Sequence, residues 1–298
     1  HLMHMPGHIY ARVGRWQAAA EANERAIATD SRYKARQPEI GFYGLYMLHN
    51  DHFLAYTAMM EGRKQTALDQ TATVVHAFPL EWVKQNAGFA DAYQTAHWEA
   101  MKRFGLWEDL LKEPAPDAAL PVSTAYWHAL RGTAFAATGK VDEALREQAA
   151  LDAAIAKVPA DFTWGSNSAA PVLQVAKAVL AGEIAFRQKD MDGSIAKLRE
   201  AVKLEDALKY DEPPPCTVPA RHSLGAVLLA AGKPKEAEAI YREDLKAYPA
   251  NLWSLQGLKL ALDAQGLKSK TADAELAKAR ARAEVKAETS CLCVGAEP

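Results

Sequence analysis

The sequence predicts an all-α protein, and three observations carry that reading. The chain of 298 residues is 49% hydrophobic, and its apolar residues recur at helical spacing, without the strict alternation that strands require. Turn signals of the form Gly-x-(Trp/Val/Pro)-x-x-Ala recur at Gly14-Arg15-Trp16, Gly62-Arg63, Gly105-Leu106-Trp107, Gly139-Lys140-Val141 and Gly232-Lys233-Pro234. Two of the intervals, Gly105 to Gly139 and Gly232 to Gly266, are 34 residues.

Each turn is followed by an amphipathic helix, such as residues 17–29, 140–156 or 235–247. Each is preceded by another helix, often with a small residue seven positions before the turn: Ala55, Gly132, Gly182 (counted from Lys189) and Gly225. A small residue lets two helices approach closely, and a glycine at the turn accepts the left-handed conformation that ends the first helix. Turns near Gly14, Gly62, Gly105, Gly139, Lys189, Gly232 and Gly266 mark six or seven helical hairpins. Two linkers stand out, Glu113-Pro114-Ala115-Pro116 and Tyr210-Asp211-Glu212-Pro213-Pro214-Pro215-Cys216.

Residues 221–251 form the clearest unit. Leu224-Gly225, Leu228, Gly232, Ala237, Tyr241 and Pro249 fall where the tetratricopeptide repeat, a 34-residue helix–turn–helix, places its packing residues. The chain resembles that family. The resemblance implies a right-handed α-solenoid of stacked hairpins over residues 1–289, followed by a tail, 290–298, containing Cys-x-Cys. Trp16 and Trp107 are expected between hairpins. The strings His4-Met5-Pro6-Gly7-His8-Ile9-Tyr10, His49-Asn50-Asp51-His52-Phe53 and Tyr210-Asp211-Glu212-Pro213-Pro214 are similar to a group of uncharacterised bacterial tetratricopeptide proteins. That likeness implies a bacterial protein, cytoplasmic or periplasmic, of which this chain is the C-terminal part. It implies no settled activity, and Pro215-Cys216 departs from the aromatic residue that many members carry after the Pro pair.

The histidines give the sharpest functional signal. His1, His4 and His8 lie thirteen, ten and six residues before Gly14, and His49 and His52 lie thirteen and ten before Gly62. Five of the nine His therefore fall in these two clusters, four of them at matching slots of two hairpins, which would bring them to one inner wall. Neutral imidazole is a common ligand for transition metals, and residues three or four apart on one helix can grip one ion. His4, His8, His49 and His52 are the expected ligands of one ion such as Zn or Cu. His1 is a weaker candidate, and Cys291 and Cys293 form a separate weaker one. Pro6 places the start of the first helix near residues 3–5. Asn50 or Asp51 reads as an N-cap, leaving His49 just outside its helix. His76, His97 and His128 read as packing or surface residues.

The same wall carries Arg12, Tyr56, Met59, Glu99, Arg103, Glu183, Arg187 and His222, expected to line a ligand groove. Three functions follow: a metal-binding scaffold, a protein- or peptide-binding module without metal, and a metal-dependent enzyme in the same groove. If the imidazoles keep an ordinary pKa near 6.5, the groove gains positive charge between pH 8 and pH 6 and favours anionic ligands there. No phosphate-cradling loop, His-Glu-x-x-His or nucleophile elbow is present, which weighs against an enzyme. A net charge of −2 leaves no basic stripe for nucleic acid, and no membrane span is expected. Leu2, Met3, Met5 and Ile9 are expected at an uncapped N-terminal end, suited to upstream repeats or self-association, while residues 272–288 read as a C-terminal capping helix.

Overall fold

The computed structural model describes residues 1–37 and 41–294. It is all-α apart from one short hairpin, β1 (Thr163–Trp164) and β2 (Asn167–Ser168). The helices are α1 (Met5–Arg12), α2 (Trp16–Lys34), α3 (Gly44–Glu61), α4 (Lys64–Val75), α5 (Leu80–Gln85), α6 (Ala87–Ala90), α7 (Ala96–Arg103), α8 (Trp107–Lys112), α9 (Pro121–Ala137) and α10 (Val141–Ile155). They continue with α11 (Ala169–Arg187), α12 (Met191–Asp206), α13 (Ala220–Ala230), α14 (Pro234–Ala247), α15 (Leu252–Ala264) and α16 (Lys270–Arg280).

One device ends the first helix of every pair. Gly14, Gly62, Gly105, Gly139, Lys189, Gly232 and Gly266 all have φ between 65° and 78°. In each, the next residue's N–H reaches back to a carbonyl five positions earlier, as in Arg15 to Tyr10 (2.8 Å) and Asp190 to Ala185 (3.0 Å). This closure satisfies carbonyls that the helix end would otherwise leave open and turns the chain into the second helix.

The small residues ahead of these turns sit at tight crossings. A Cβ on Gly132 would lie 2.8 Å from Leu180, and one on Gly225 would lie 2.4 Å from the Tyr241 ring. Tyr241 is fully buried against Leu224, Leu228 and Leu258. Trp107 joins the largest apolar cluster, and Trp16 packs with Ala19, Phe53 and Tyr56.

The two ends of the chain meet. Trp16 Nε1 donates to the Pro249 carbonyl (2.8 Å), and Trp253 Nε1 donates to the Met59 carbonyl (2.7 Å). Gly14 lies so close to Pro249 that a Cβ would stand 2.6 Å from its oxygen. The segment after α16 then crosses back, with Glu284 N–H bonded to the Gly62 carbonyl (3.0 Å).

Three expectations about elements are corrected. The stretch holding Asn50 and Asp51 is no helix start. α3 already begins at Gly44, after a turn of 3-10 helix at Gly41–Tyr43, so His49 and His52 are mid-helical. Asn50 is buried and donates to Asp30 (2.7 Å), a tertiary partner invisible to local pattern. The C-terminal helix stops at Arg280, because the following backbone and side chains find partners on the rest of the molecule. Of the expected tail, 290–294 are buried or half-buried, and 295–298 lie outside the described residues.

α11 is long and apolar enough, by length and composition, to cross a membrane. Here it packs between α9 and α12 and carries the buried Glu183, as a core helix does. Leu2, Met5 and Ile9 are exposed.

Gly14→Ala should destabilise the fold by about 2 kcal/mol or more, since it adds left-handed strain to a backbone collision. Lys189→Gly should stabilise it by about 0.5–1 kcal/mol, because this exposed lysine holds φ 66° without need of its side chain. Urea unfolding of both variants beside wild type checks the signs.

Candidate metal centre

α1 and α3 bring three of the four expected imidazoles together. His4 Nε2 lies 2.7 Å from His8 Nε2 and 3.1 Å from His49 Nε2. Ligand atoms of the three all lie within 4.8 Å of one another. His4 and His8 are neighbours across one helical turn, with His4 at the N-cap of α1 and Pro6 in its first turn. Phe53, one turn beyond His49 on α3, presents its ring to His4, His8 and His49 at centroid distances of 5.3, 4.7 and 5.9 Å. It gives the cluster an apolar floor.

Partners behind the rings fix their protons. Asn23 on α2 donates its Nδ2 to the Ala19 carbonyl (2.8 Å), so its Oδ1 must accept from His4 Nδ1 (2.7 Å). His8 Nδ1 donates to Glu212, whose other oxygen accepts from the Tyr210 hydroxyl. With both Nδ1 atoms acting as donors, neutral His4 and His8 each present a lone pair on Nε2. Those two lone pairs face each other at 2.7 Å. That contact is repulsive unless a cation, a proton or a metal ion, lies between them.

Glu212 arrives from the Pro-rich linker between α12 and α13. The linker is pinned by Arg12 over the Tyr210 ring (5.2 Å), by Asp211 accepting from Ser166 N–H (2.7 Å), and by Thr217 donating to Glu99 (2.5 Å). Asn167 in the β-hairpin both donates to the Lys209 carbonyl (3.0 Å) and accepts from its N–H (2.7 Å). Sequence reasoning missed Asn23 and Glu212 as members of the cluster. The linker's composition marked it as unusual, but nothing local shows where it lands.

His52 does not join. It stands edge-on to Tyr93 (5.7 Å) and lines a cavity of about 100 Å³ with His49, Glu99 and Glu212. His1 is near His4 (6.2 Å between ring centroids) and edge-on to Tyr46.

The expectation of a groove that becomes cationic near pH 6 is corrected for His49 and His52. Burial pushes His49 down to about 3, helped by the neighbouring His4, His52 and His8, and burial pushes His52 down to about 4. Burial also lowers His4, against the opposing Asn23 bond. His49 and His52 are thus neutral from pH 8 to pH 6, the state in which imidazole binds metal.

Of the residues expected to line a groove, Arg12, Tyr56, Met59 and Glu99 line the cavities beside the cluster, while several others are held by the chain's own segments. Glu99 is held by Thr217, and Arg187 donates to the Cys293 carbonyl (2.7 Å). Arg103 stacks on Trp253 (4.6 Å) and meets His222 (3.1 Å), which pairs with the buried Asp244 (3.1 Å). Tyr56, Met59, Glu99, Arg103, Glu183 and His222 are all buried. Arg12 stays exposed on the rim. An unpaired arginine or carboxylate here would cost several kcal/mol; the linker and tail partner Glu99 and Arg187, while Glu99 Oε1, Arg103 Nε and Glu183 Oε2 are left without a hydrogen bond.

Beside the cluster lies a second cavity, of about 250 Å³, lined by Tyr56, Glu205, Cys216 and Tyr248. Burial raises the Cys216 thiol well above its ordinary value, which makes it a poor nucleophile. Burial also raises Glu205, to about 8, although it accepts from the Ala220 N–H at the start of α13 (3.0 Å).

No protein-family model and no curated protein matches this chain.

The raised Glu205 predicts a pH-dependent stability. Between about pH 4.5 and pH 8 the folded state keeps a proton that the unfolded state has lost, so stability declines as pH rises through that window. Glu205→Gln should stabilise the protein by roughly 2–4 kcal/mol at pH 9 and by much less at pH 5. Thermal unfolding of both proteins across pH 5–9 checks it. An equal effect at both ends would contradict the assignment.

Proposed function

We propose that this chain is a metal-binding helical-repeat protein of the tetratricopeptide type, holding one divalent transition-metal ion on His4, His8 and His49. The observation that carries the reading is the pair of Nε2 lone pairs opposed at 2.7 Å, with both Nδ1 protons committed to Asn23 and Glu212. Metal-binding histidines usually donate their second ring nitrogen to a carboxylate or carbonyl, which fixes the tautomer and raises ligand basicity. Both arrangements occur here, on adjacent ligands.

Three neutral imidazoles suit zinc or copper more than calcium or magnesium. A tetrahedral ion with bonds of about 2.0–2.1 Å would hold the nitrogens roughly 3.3 Å apart, so the His4 and His8 nitrogens, now at 2.7 Å, must separate by roughly half an ångström on binding. His8 and His49 are half-buried, which leaves an approach for the ion and for a water as fourth ligand. The seven left-handed turns and the Gly225–Tyr241 crossing support the repeat assignment. Because linker and tail occupy the interior, the metal reading is preferred to a peptide channel.

Zinc or cobalt titration of the metal-free chain, with elemental mass spectrometry of the loaded protein, tests the proposal. One ion should bind per chain. Glu212→Gln should weaken it by about 10–100-fold, and His8→Ala or His49→Ala by more. His52→Ala should leave it unchanged. Should the wild type bind no ion at neutral pH, the opposed nitrogens share a proton instead, and the proposal fails. An ion lost with His52 rather than His8 would also overturn it.

A further inference from the structure

The tail carries a second group of ligand atoms, on elements unrelated to the imidazole cluster. Cys291 Sγ, Cys293 Sγ and a carboxylate oxygen of Glu183 all lie within 4.8 Å of one another. All three residues are buried, Glu183 at 3% exposure and the cysteines at 7% and 3%. The two sulfurs are joined as a disulfide.

The surroundings suit two thiolates better than a disulfide. Glu183 Oε2 is buried without a hydrogen bond of normal geometry, although the Thr133 hydroxyl stands near the carboxylate, and its Oε1 meets the Ser223 hydroxyl at a long 3.4 Å. A disulfide offers a carboxylate neither proton nor charge. Cys291 Sγ is approached by the Ser223 hydroxyl and by the Cys293 N–H, both at 3.4 Å, and the same hydroxyl stands 3.8 Å from Cys293 Sγ. Such donors stabilise an anionic sulfur far more than a neutral one. Positive charge is close by, from Lys102 and from Arg187, which also holds the Cys293 carbonyl. Ser290 anchors the segment from the other side, donating to the His222 carbonyl (2.7 Å) and meeting the Tyr241 hydroxyl (2.7 Å).

We propose that the Cys291–Cys293 pair is a redox gate on a second metal site, which opens to a thiophilic divalent ion when the disulfide is reduced. A dithiol reductant supplies two electrons and two protons, breaks the S–S bond, and leaves as its own disulfide. The ion then displaces the two thiol protons and forms two S–metal bonds and one bond to Glu183. A water or the Ser223 hydroxyl completes four-coordination. In the oxidised state the sulfurs carry no negative charge and the ion is not held. Soft thiolate ligands select zinc or cadmium over calcium or magnesium.

The test uses cadmium on the whole chain carrying His8→Ala, His49→Ala and Cys216→Ser, so that the imidazole cluster and the third thiol contribute nothing. After reduction with a phosphine under anaerobic conditions, one equivalent of Cd²⁺ should produce the ultraviolet cadmium–thiolate charge-transfer band. The same protein left oxidised should show no band. Adding Glu183→Gln should weaken binding at least about tenfold, and adding Cys291→Ser with Cys293→Ser should abolish the band. Should the substituted background fail to fold, the wild-type chain still reads the gate, as one additional equivalent of bound cadmium on reduction. Equal cadmium binding in both redox states would overturn the gate, and an affinity indifferent to Glu183→Gln would overturn the site as drawn.

Discussion

Seven times among the described residues a helix ends on a residue with φ between 65° and 78° and sends the next N–H back to a carbonyl five positions earlier. That conformation costs an ordinary residue about 1–2 kcal/mol, which is why six of the seven are glycine. Everything else in the molecule hangs on it. The turn sets the second helix against the first, and the tight crossings at Gly132 and Gly225 set the distance. His4 and His8 then project from one pair toward His49 on the next. Were Gly14 unable to turn, α1 would not lie on α2, and His4 would lose Asn23.

Among the apolar side chains of the interior sit several buried charges, and that creates a second constraint. Buried Glu99, Arg103, Glu183, His222 and Asp244 must each find a partner away from water. Helices alone do not supply enough. The Pro-rich linker brings Thr217 to Glu99 and Glu212 to His8, and the tail brings the Cys293 carbonyl to Arg187 and Ser290 to the His222 carbonyl. Both segments are structural, and they also bring Glu212 to the imidazole cluster and the two cysteines to Glu183.

The two proposed sites follow one logic with different chemistry. In each, a helix of the scaffold provides part of the donor set, His4 and His8 at the N-cap and first turn of α1 or Glu183 on α11, and another segment completes it. At the imidazole cluster the mismatch is between two lone pairs, and at the tail it is an unpartnered carboxylate oxygen beside sulfur. Burial keeps His49 neutral and ready for a metal at neutral pH. At the tail, the oxidation state of sulfur controls whether ligands exist at all.

Much of this was legible in the chain. The apolar period, the positions of all seven turns, the small residues seven places before them and the matching histidine slots are local facts. A helix projects its side chains at a fixed angle per residue, so such patterns carry over into three dimensions. What the tertiary structure decided depends on contacts between residues far apart in sequence. Asn50 looked like a helix start, but Asp30 takes its side chain and α3 runs through. His52 matched the slot of His4, yet about 60° of helix rotation from His49 turns it to Tyr93 instead. Glu212 reaches His8 across 204 residues, and Cys291 and Cys293 are buried beside Glu183 more than a hundred residues away. Sequence determined the long helices, the left-handed turns between them and the faces on which histidine would stand. Only packing decided which imidazoles meet, which carboxylate orients them and how far burial shifts their protons, because these depend on long-range contacts and the exclusion of water.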